Sequence, residues 1–258
     1  MRRLVSAGAP IMVVWLTRGG LRGDRREAES RRAMELIGVK PGNLLFFRLP
    51  DGHLLDFLDD ITLRLEKLFK RMKPASLFVP AFEGGHPDHD AVQLAAAAAI
   101  GRLGGQARNM RQFPSVRESQ TPPPALYEFP LYHRANAGFL KVGEFLPGAE
   151  SAEQGFVEQT SMKLTDRLMK RKLVIAFRSQ RLILWLLTGL KGGPMMVHMK
   201  GEPYRRVPSG RDYTVRPHQG RLAYEYYTPV RFKRFAEAAA RVISPVPLRA
   251  APAEKDHR

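Results

Sequence analysis

The first hundred residues alternate short apolar runs with longer amphipathic segments. Three short, mostly apolar runs predict strands, at residues 11–16, 43–49 and 76–80. The continuous run 11–16 is typical of a buried parallel strand. Three segments with apolar residues at helical spacing follow these runs, at residues 24–37, 54–72 and 88–103. This order predicts an α/β protein with a Rossmann-like, doubly wound and mostly parallel sheet.

The second half of the chain is less regular. Apolar periodicity predicts a long helix over residues 157–188 and a last helix over about 230–242. The Gly/Pro-rich stretch 189–220 between them predicts loop and a short strand. We expect one domain over residues 1–242, followed by a disordered tail at 243–258 that is rich in Pro, Ala and charge.

Residues 1–8 resemble the end of a helix, with Ala7-Gly8-Ala9 as its terminator. A parallel sheet normally begins with a strand rather than a helix. One interpretation is that the first strand of the sheet is missing ahead of this helix. The alternative is a short capping segment, which is common in proteins.

Bulk composition is that of a soluble globular protein, with 44% hydrophobic and 26% charged residues among 258. The chain has no cysteine, which excludes disulfides, thiolate zinc sites and cysteine nucleophiles. The longest apolar candidate, residues 182–187, is far shorter than the roughly 18–20 residues that a spanning helix needs. We therefore expect a cytoplasmic protein.

The net charge of +17 is the extreme feature of the composition. The basic residues are spread along the chain, and no zinc-finger or RNA-binding motif is present, so a specific nucleic-acid partner is not expected. Lys170-Arg171-Lys172, with the apolar run to Leu187, is compatible with a basic amphipathic helix that makes peripheral membrane contact. The favoured alternative is a helix that packs on the core with a solvated basic end.

The segment His86-Pro87-Asp88-His89 carries the most chemistry. It follows the predicted strand 76–80 and the flexible Glu83-Gly84-Gly85, at the strand end where α/β proteins usually bind ligands. Imidazole is the commonest metal ligand and an acid or base near neutral pH. A simpler interpretation is a turn in which Asp88 caps the next helix.

Four segments in order resemble the LmbE-like, or PIG-L, zinc-dependent N-deacetylases. The similarity covers about residues 3–103 and is most specific in the last segment. The four segments are residues 13–19, 26–39, 50–54 and 83–92. Fainter similarity lies at Arg178-Ser179-Gln180 and Glu202-Pro203-Tyr204.

The resemblance implies a zinc-dependent hydrolase that removes an N-acetyl group from an amino sugar or glycoconjugate. It assigns His89 to the metal, and His86 to stabilising the tetrahedral oxyanion and protonating the departing amine. Asp88 would orient His86 and favour its charged form, while Asp51 and Arg26 would bind substrate. A turn residue and a solvated helix charge are the simpler interpretations of Asp51 and Arg26.

The family's first signature, His-Pro-Asp-Asp, supplies two more zinc ligands and a general base. No histidine precedes His53, so the zinc site is expected to be incomplete in this chain. The alternatives are a non-catalytic remnant or binding protein of the same fold, or a basic protein that binds anionic surfaces. The remaining histidines have no metal-ligand spacing and are expected to be structural or superficial: His53, His133, His198, His218 and His257.

Overall fold

The chain folds into a mixed α/β structure. The computed structural model describes residues 1–20, 23–110, 122–135, 140–146, 157–180, 201–208 and 210–243. The helices are α1 Arg2–Ser6, α2 Gly23–Leu36, α3 Leu58–Met72, α4 Pro87–Met110, α5 Leu164–Ala176 and α6 Phe232–Ile243. The strands are β1 Val13–Thr17, β2 Leu44–Leu49, β3 Ser76–Pro80, β4 Ala125–Phe129, β5 Tyr132–His133, β6 Lys141–Val142, β7 Val157–Ser161 and β8 Gly201–Arg206. Short 3₁₀ turns occur at Pro41–Asn43, Leu54–Phe57, Arg178–Gln180 and Ala223–Tyr226.

The predicted strand–helix alternation of the first half is confirmed from β1 to α4. Strands β1 and β2 are parallel, with Val13 opposite Leu44. Consecutive side chains of β2 point to opposite faces, because a strand alternates its side chains. Phe46 lies under the guanidinium of Arg31 from α2, whereas Phe47 lies under Arg64 from α3. Helices therefore cover both faces of this strand pair.

The strands of the described residues pair into three sheets. One is the parallel pair β1–β2, a second has the order β3–β4–β8–β7, and the third is the antiparallel pair β5–β6. Strand β3 is parallel to β4, and β8 is antiparallel to both of its neighbours. Within the described residues, neither β1 nor β3 pairs with the other, so each keeps one main-chain edge without a strand partner.

Partial burial accompanies this division. Of β1 only Leu16 is buried, and Phe78 of β3 is 49% exposed. Central strands of a parallel sheet are normally buried on both faces. The mixed α/β fold is confirmed by the structure, whereas the continuous doubly wound sheet and the missing first strand stay predictions.

The largest core lies between the strands and helices α3, α4 and α6. Its fully buried side chains include Ile61 of α3, Leu94 of α4 and Phe235 of α6. Phe235 also stacks on Phe82, at 5.3 Å between ring centroids, just after β3. Each such side chain contributes about 1.5–3 kcal/mol by leaving water. The last helix of the chain thus stabilises the elements that carry the His86–His89 segment.

A charge cluster around the buried Glu128 joins the two halves of the chain. Glu128 of β4 accepts hydrogen bonds from Arg205 of β8 at 2.6 Å and from Arg211 at 2.5 and 2.8 Å. Gln93 of α4 donates to the same carboxylate. Burial opposes ionisation of Glu128, but the two guanidinium groups outweigh it and hold its pKa below the usual value. The cluster fixes β8 and the segment after it against α4.

The second half differs from the predicted elements. The helix expected over residues 157–188 is wrong at its start, because residues 157–161 form β7 and pair with β8. Strand pairing overrides the local helical pattern there. The helix α5 begins only at Leu164 and ends at Ala176, while the apolar run 182–187 lies outside the described residues. The short strand expected within 189–220 is confirmed as β8.

The last helix is confirmed as α6, at Phe232–Ile243. The tail from residue 244 onward lies outside the described residues, and its predicted disorder stays a prediction, as does the single domain over 1–242. Within the described part of the chain, no helix combines the length and apolarity that crossing a bilayer requires.

Candidate active site

The site is built on the loop between β3 and α4, which passes through two glycines. Gly84 has φ of +70°, a left-handed conformation that favours glycine. At Gly85 a Cβ atom would lie 2.0 Å from the carbonyl oxygen of Tyr132, so any side chain would collide with main chain. The loop therefore needs glycine at both positions to bring His86 close to β5.

Two buried carboxylates fix this loop. Asp90 is fully buried, and its Oδ1 accepts hydrogen bonds from the main-chain N–H groups of Glu83 and Gly84, each at 3.2 Å. Glu83 in turn accepts from the N–H groups of Leu131 and Tyr132 at 2.7 and 2.8 Å. Burial raises the pKa of Glu83 to about 7 and raises that of Asp90 well above its usual value. Sequence reasoning assigned neither carboxylate a role.

His86 lies directly before α4 and is held through one ring nitrogen. Its Nδ1 accepts a hydrogen bond from the main-chain N–H of Asp88 at 3.1 Å. A neutral imidazole that accepts at Nδ1 carries its proton on Nε2. The ring can therefore donate a hydrogen bond from Nε2.

The charge state of His86 reflects opposing influences. Burial lowers its pKa, the carboxylates of Asp88 and Asp51 oppose that shift, and the guanidinium of Arg26 adds to it. The net direction is downward. The expected effect of Asp88, favouring the charged form of His86, is present but is outweighed by burial.

The Asp88 carboxylate is buried and binds main chain rather than the His86 ring. It accepts hydrogen bonds from the N–H of Gly52 at 2.6 Å and of Leu54 at 3.1 Å. These bonds connect the first turn of α4 to the loop after β2. Burial raises the pKa of Asp88, and the two N–H groups and His86 oppose that shift. The role predicted for Asp88 in orienting His86 stays a prediction, and the direct contact is made by its main-chain N–H.

His89 lies beside His86 in the first turn of α4. The two ring centroids are 5.0 Å apart, and the His89 ring meets Tyr132 edge-on at 5.5 Å. Burial, followed by the nearby His86, lowers the pKa of His89 to about 3. His89 is therefore a neutral imidazole at pH 7, which is the form that a metal ion binds.

The described residues do not complete a zinc site. Catalytic zinc takes three protein ligands and a water. Within the part of the chain that the structure describes, no group of three His, Cys, Asp or Glu side chains converges in a way that could hold a metal ion. His89 fits a ligand by its neutral state, but the residues present do not fit a zinc ion on their own.

The two predicted substrate residues lie together next to His86. The Nη1 of Arg26, from α2, is 3.8 Å from Oδ2 of Asp51, which follows β2. Arg26 also donates a hydrogen bond to Gln180, in the 3₁₀ turn after α5. All five predicted site residues are thus brought to one end of the strands. Their roles in substrate binding stay predictions.

Tyrosines from outside the first hundred residues complete this region. The hydroxyl of Tyr227 donates to the carbonyl oxygen of Gly85 at 2.6 Å, and its ring centroid is 6.4 Å from that of His86. Tyr227 is 57% exposed. Because Gly85 and Tyr227 are 142 residues apart, no local pattern indicates their contact. Only the fold places Tyr132 and Tyr227 against the histidines.

The remaining described histidines make contacts elsewhere. His53 is exposed and lies 3.3 Å from Asp56. His133 is fully buried and accepts from the N–H of Ala135, and His218 contacts the carbonyl oxygen of Gln219. These three agree with the structural or superficial placement predicted for them. His198 and His257 lie outside the described residues.

The α/β fold of this chain is shared with solved structures of deacetylases. A deacetylase of teicoplanin biosynthesis, solved as a complex with bog, has a TM-score of 0.55 at 16% identity, covering 81% of this chain and 91% of that one. The zinc-inhibited form of teicoplanin deacetylase Orf2 has a TM-score of 0.54 at 15% identity, with the same coverage. At these identities the likeness establishes a shared fold. No curated protein shows a significant match.

The family match covers the part of the chain that carries His86 and His89. Residues 1–100 match the profile of the PIG-L family, described as GlcNAc-PI de-N-acetylase. This confirms the resemblance predicted from the four ordered segments. Asp51, Arg26 and the His86–His89 segment all fall within the match, whereas Tyr132, Tyr227 and Arg211 lie beyond it.

Proposed function

We propose that this protein is a hydrolase that removes an N-acetyl group from an amino sugar or glycoconjugate, releasing acetate and an amine. The observation that carries the proposal is the hydrogen bonding of the His86 ring. Its Nδ1 is occupied by the N–H of Asp88, so Nε2 is the nitrogen available to a substrate. This arrangement lies at the carboxyl end of β3, where a small-molecule substrate is expected.

The reaction adds the oxygen of water to the acetamide carbonyl and then breaks the C–N bond. A neutral His86 donates a hydrogen bond from Nε2 to the developing oxyanion. His86 then passes its Nε2 proton to the departing amine as the C–N bond breaks. The proton that the attacking water loses returns to Nε2, so the imidazole ends the reaction neutral. Asp88, through its main-chain N–H and its charge, holds the ring in this orientation.

A zinc ion held by His89 and by ligands from an additional strand would supply the activation of this water. The division of the strands supports this part of the proposal. The edges of β1 and β3 have no strand partner within the described residues, and both strands are parallel to their known neighbours. A further parallel strand between these edges would carry its carboxyl end toward His86 and His89.

Substrate contacts are assigned to three side chains around His86. Asp51 would accept a hydrogen bond from a sugar hydroxyl, and Arg26 would hold Asp51 in place across their 3.8 Å separation. The exposed ring of Tyr227 offers a flat apolar surface beside His86, as sugar rings require. These contacts favour a small-molecule N-acetylated substrate. The cytoplasmic location stays a prediction.

The decisive experiment fuses a β-strand ending in His-Pro-Asp-Asp to the N-terminus and measures acetate release from N-acetylglucosamine derivatives. The fused, zinc-loaded protein should hydrolyse at least one acetamide, and His86→Gln should lose about 10²–10⁴-fold in rate. Asp56→Asn, at an exposed position next to His53, is the matched control. Absence of acetate release from a fused protein that binds zinc and melts cooperatively would refute the enzymatic function.

A non-catalytic binding protein of the same fold is the second candidate. The absence of a three-ligand group among the described residues favours it. Equilibrium dialysis of the unfused chain with N-acetylglucosamine distinguishes the two. Sugar binding that Asp51→Ala abolishes, together with an inactive fused protein, would establish this second function.

A further inference from the structure

Helix α5 presents three large aliphatic side chains to solvent. Leu164, Leu168 and Ile175 are 61%, 45% and 48% exposed. Their spacing of four and seven residues places them on one side of a helix with 3.6 residues per turn. No residue of α5 is buried, so this aliphatic row is a true outer surface of the described structure.

Cationic side chains flank the aliphatic row. Arg171 and Lys172 are exposed on the same side of α5. Within the described residues, neither of them is in a salt bridge. The acid of α5, Asp166, is neutralised by Arg2 and Arg3 of α1, at 2.9 and 3.0 Å. Among the described residues, the exposed side of α5 therefore combines apolar area with positive charge that no salt bridge compensates.

The opposite side of α5 fixes the helix to the body of the protein. Asp166 is bound to α1, and Lys170 pairs with Glu202 of β8 at 2.7 Å. Directly after the helix, Ser179 donates hydrogen bonds from its N–H and hydroxyl to Glu29 of α2. The aliphatic row is therefore held outward by contacts on three neighbouring elements.

We propose that this side of α5 binds the surface of an anionic lipid bilayer. Amphipathic helices bind there by burying aliphatic side chains at the acyl boundary while Lys and Arg contact acidic headgroups. A second copy of the chain fits this surface poorly, because a symmetric contact would bring Arg171 and Lys172 against their equivalents. A nucleic acid would engage the cations but would leave the three aliphatic side chains without a partner.

The turn after α5 is bonded to the candidate site. Helix α5 leads into the 3₁₀ turn Arg178–Gln180, and Gln180 accepts a hydrogen bond from Arg26. Arg26 in turn lies 3.8 Å from Asp51. Helix α5 is thus connected through Gln180 to the Arg26–Asp51 side of the site.

The test is co-sedimentation of the full chain with vesicles of phosphatidylcholine alone or mixed with phosphatidylserine. We expect binding to the mixed vesicles that weakens as salt rises, and much weaker binding to phosphatidylcholine. Arg171→Glu with Lys172→Glu should weaken the partition coefficient by about tenfold or more. Leu164→Ser with Leu168→Ser should weaken it by about tenfold or more.

Matched controls use the exposed residues of α3. Leu63→Ser and Lys67→Glu change the same residue types at exposed positions and should bind vesicles like the unmodified chain. If the variant with both Leu164→Ser and Leu168→Ser melts at a lower temperature than the unmodified chain, the single variant Leu164→Ser replaces it in the vesicle assay, because Leu164 is the most exposed of the three aliphatic side chains. Vesicle binding that responds equally to the α3 and α5 changes would overturn the proposal.

Two further outcomes would also overturn it. One is a dimer, measured by light scattering, that the α5 variants convert to monomers without a change in vesicle binding. The other is binding to duplex DNA that the same variants abolish, with no binding of the unmodified chain to vesicles that contain phosphatidylserine.

Discussion

The carboxylate of Asp88 accepts a 2.6 Å hydrogen bond from the main-chain N–H of Gly52. This bond, with a second one from Leu54, joins the first turn of α4 to the loop after β2. Asp51 lies next to Gly52 and His86 lies two residues before Asp88. The catalytic and substrate-binding candidates are therefore positioned relative to each other by one buried carboxylate.

Replacing Asp88 should destabilise the fold as well as the site. Asp88→Ala leaves two N–H groups without their acceptor, and hydrogen bonds to a charged group contribute about 1.5–3 kcal/mol each. Because burial of the charge opposes part of this gain, we expect a net loss of about 2–4 kcal/mol in the free energy of unfolding, measured by urea denaturation. Asp88→Asn keeps one acceptor and should lose about half as much.

The control for Asp88 is Asp60→Ala, which removes an exposed carboxylate paired with Arg64. Exposed pairs contribute about 0–1 kcal/mol. Equal losses for Asp88→Ala and Asp60→Ala would show that the two main-chain bonds do not stabilise the loop.

Gly85 should not tolerate any side chain. A Cβ atom there would lie 2.0 Å from the carbonyl oxygen of Tyr132, so Gly85→Ala must displace main chain. Such overpacking costs about 1–3 kcal/mol or more, and we expect the upper end in a thermal or urea unfolding measurement. Gly101→Ala is the matched control, because nothing lies within 4 Å of its Cβ position in α4. Alanine should stabilise that helix by about 0.5–1 kcal/mol.

Glu83 should make stability fall as the pH rises. Its pKa is about 7 in the folded protein, above its ordinary value of 4.5. Between pH 4.5 and 7 the folded protein therefore keeps a proton on Glu83 that the unfolded chain has lost. The stabilisation is fully present below about pH 4.5 and is lost as the pH rises through about 7, amounting to about 3 kcal/mol at 1.36 kcal/mol per pKa unit. Urea denaturation between pH 5 and 8 measures this slope.

Glu83→Gln isolates the contribution of this carboxyl. Glutamine keeps an acceptor for the N–H groups of Leu131 and Tyr132 but cannot ionise. The variant should therefore lose less stability than the unmodified protein between pH 5 and 8. Identical slopes for the two proteins would contradict a raised pKa of Glu83.

The hydroxyl of Tyr227 should stabilise the glycine loop. Tyr227→Phe removes the donor to the Gly85 carbonyl oxygen and should cost about 0.5–1.5 kcal/mol of unfolding free energy. Tyr226→Phe is the control, since the described contacts of Tyr226 are those of its ring with Arg134 and Arg221. If both variants unfold at the same urea concentration, the contact with Gly85 contributes nothing measurable.

The alternation of apolar runs and amphipathic segments was sufficient to predict β1 through α4. Val13–Thr17 and Ser76–Pro80 are short, continuous and bounded by turn residues, and α3 keeps one apolar side over four turns. The same reasoning failed at residues 157–161, where pairing with Gly201–Arg206 determines a strand. That partner is about forty residues away along the chain, beyond the reach of any periodicity.

The sequence by itself determined the chemistry of the site: two histidines and a carboxylate at a strand end, after two glycines, in an order similar to the PIG-L family. The resemblance to that family also named Asp51 and Arg26 as candidates for substrate binding. Only the tertiary structure decided what those groups are bonded to. The Asp88 carboxylate binds Gly52 and Leu54, contacts set by how the loops pack.

Tertiary structure also decided the charge states of His89 and Glu83 and the separation of β1 from β3. The low pKa of His89 and the raised pKa of Glu83 arise from burial, which depends on helices and strands far along the chain. Strand partners are likewise non-local, so the separation of β1 from β3 appears only in the folded chain. Residue types and their spacing are local properties, whereas solvent exclusion and strand pairing are produced by the whole fold.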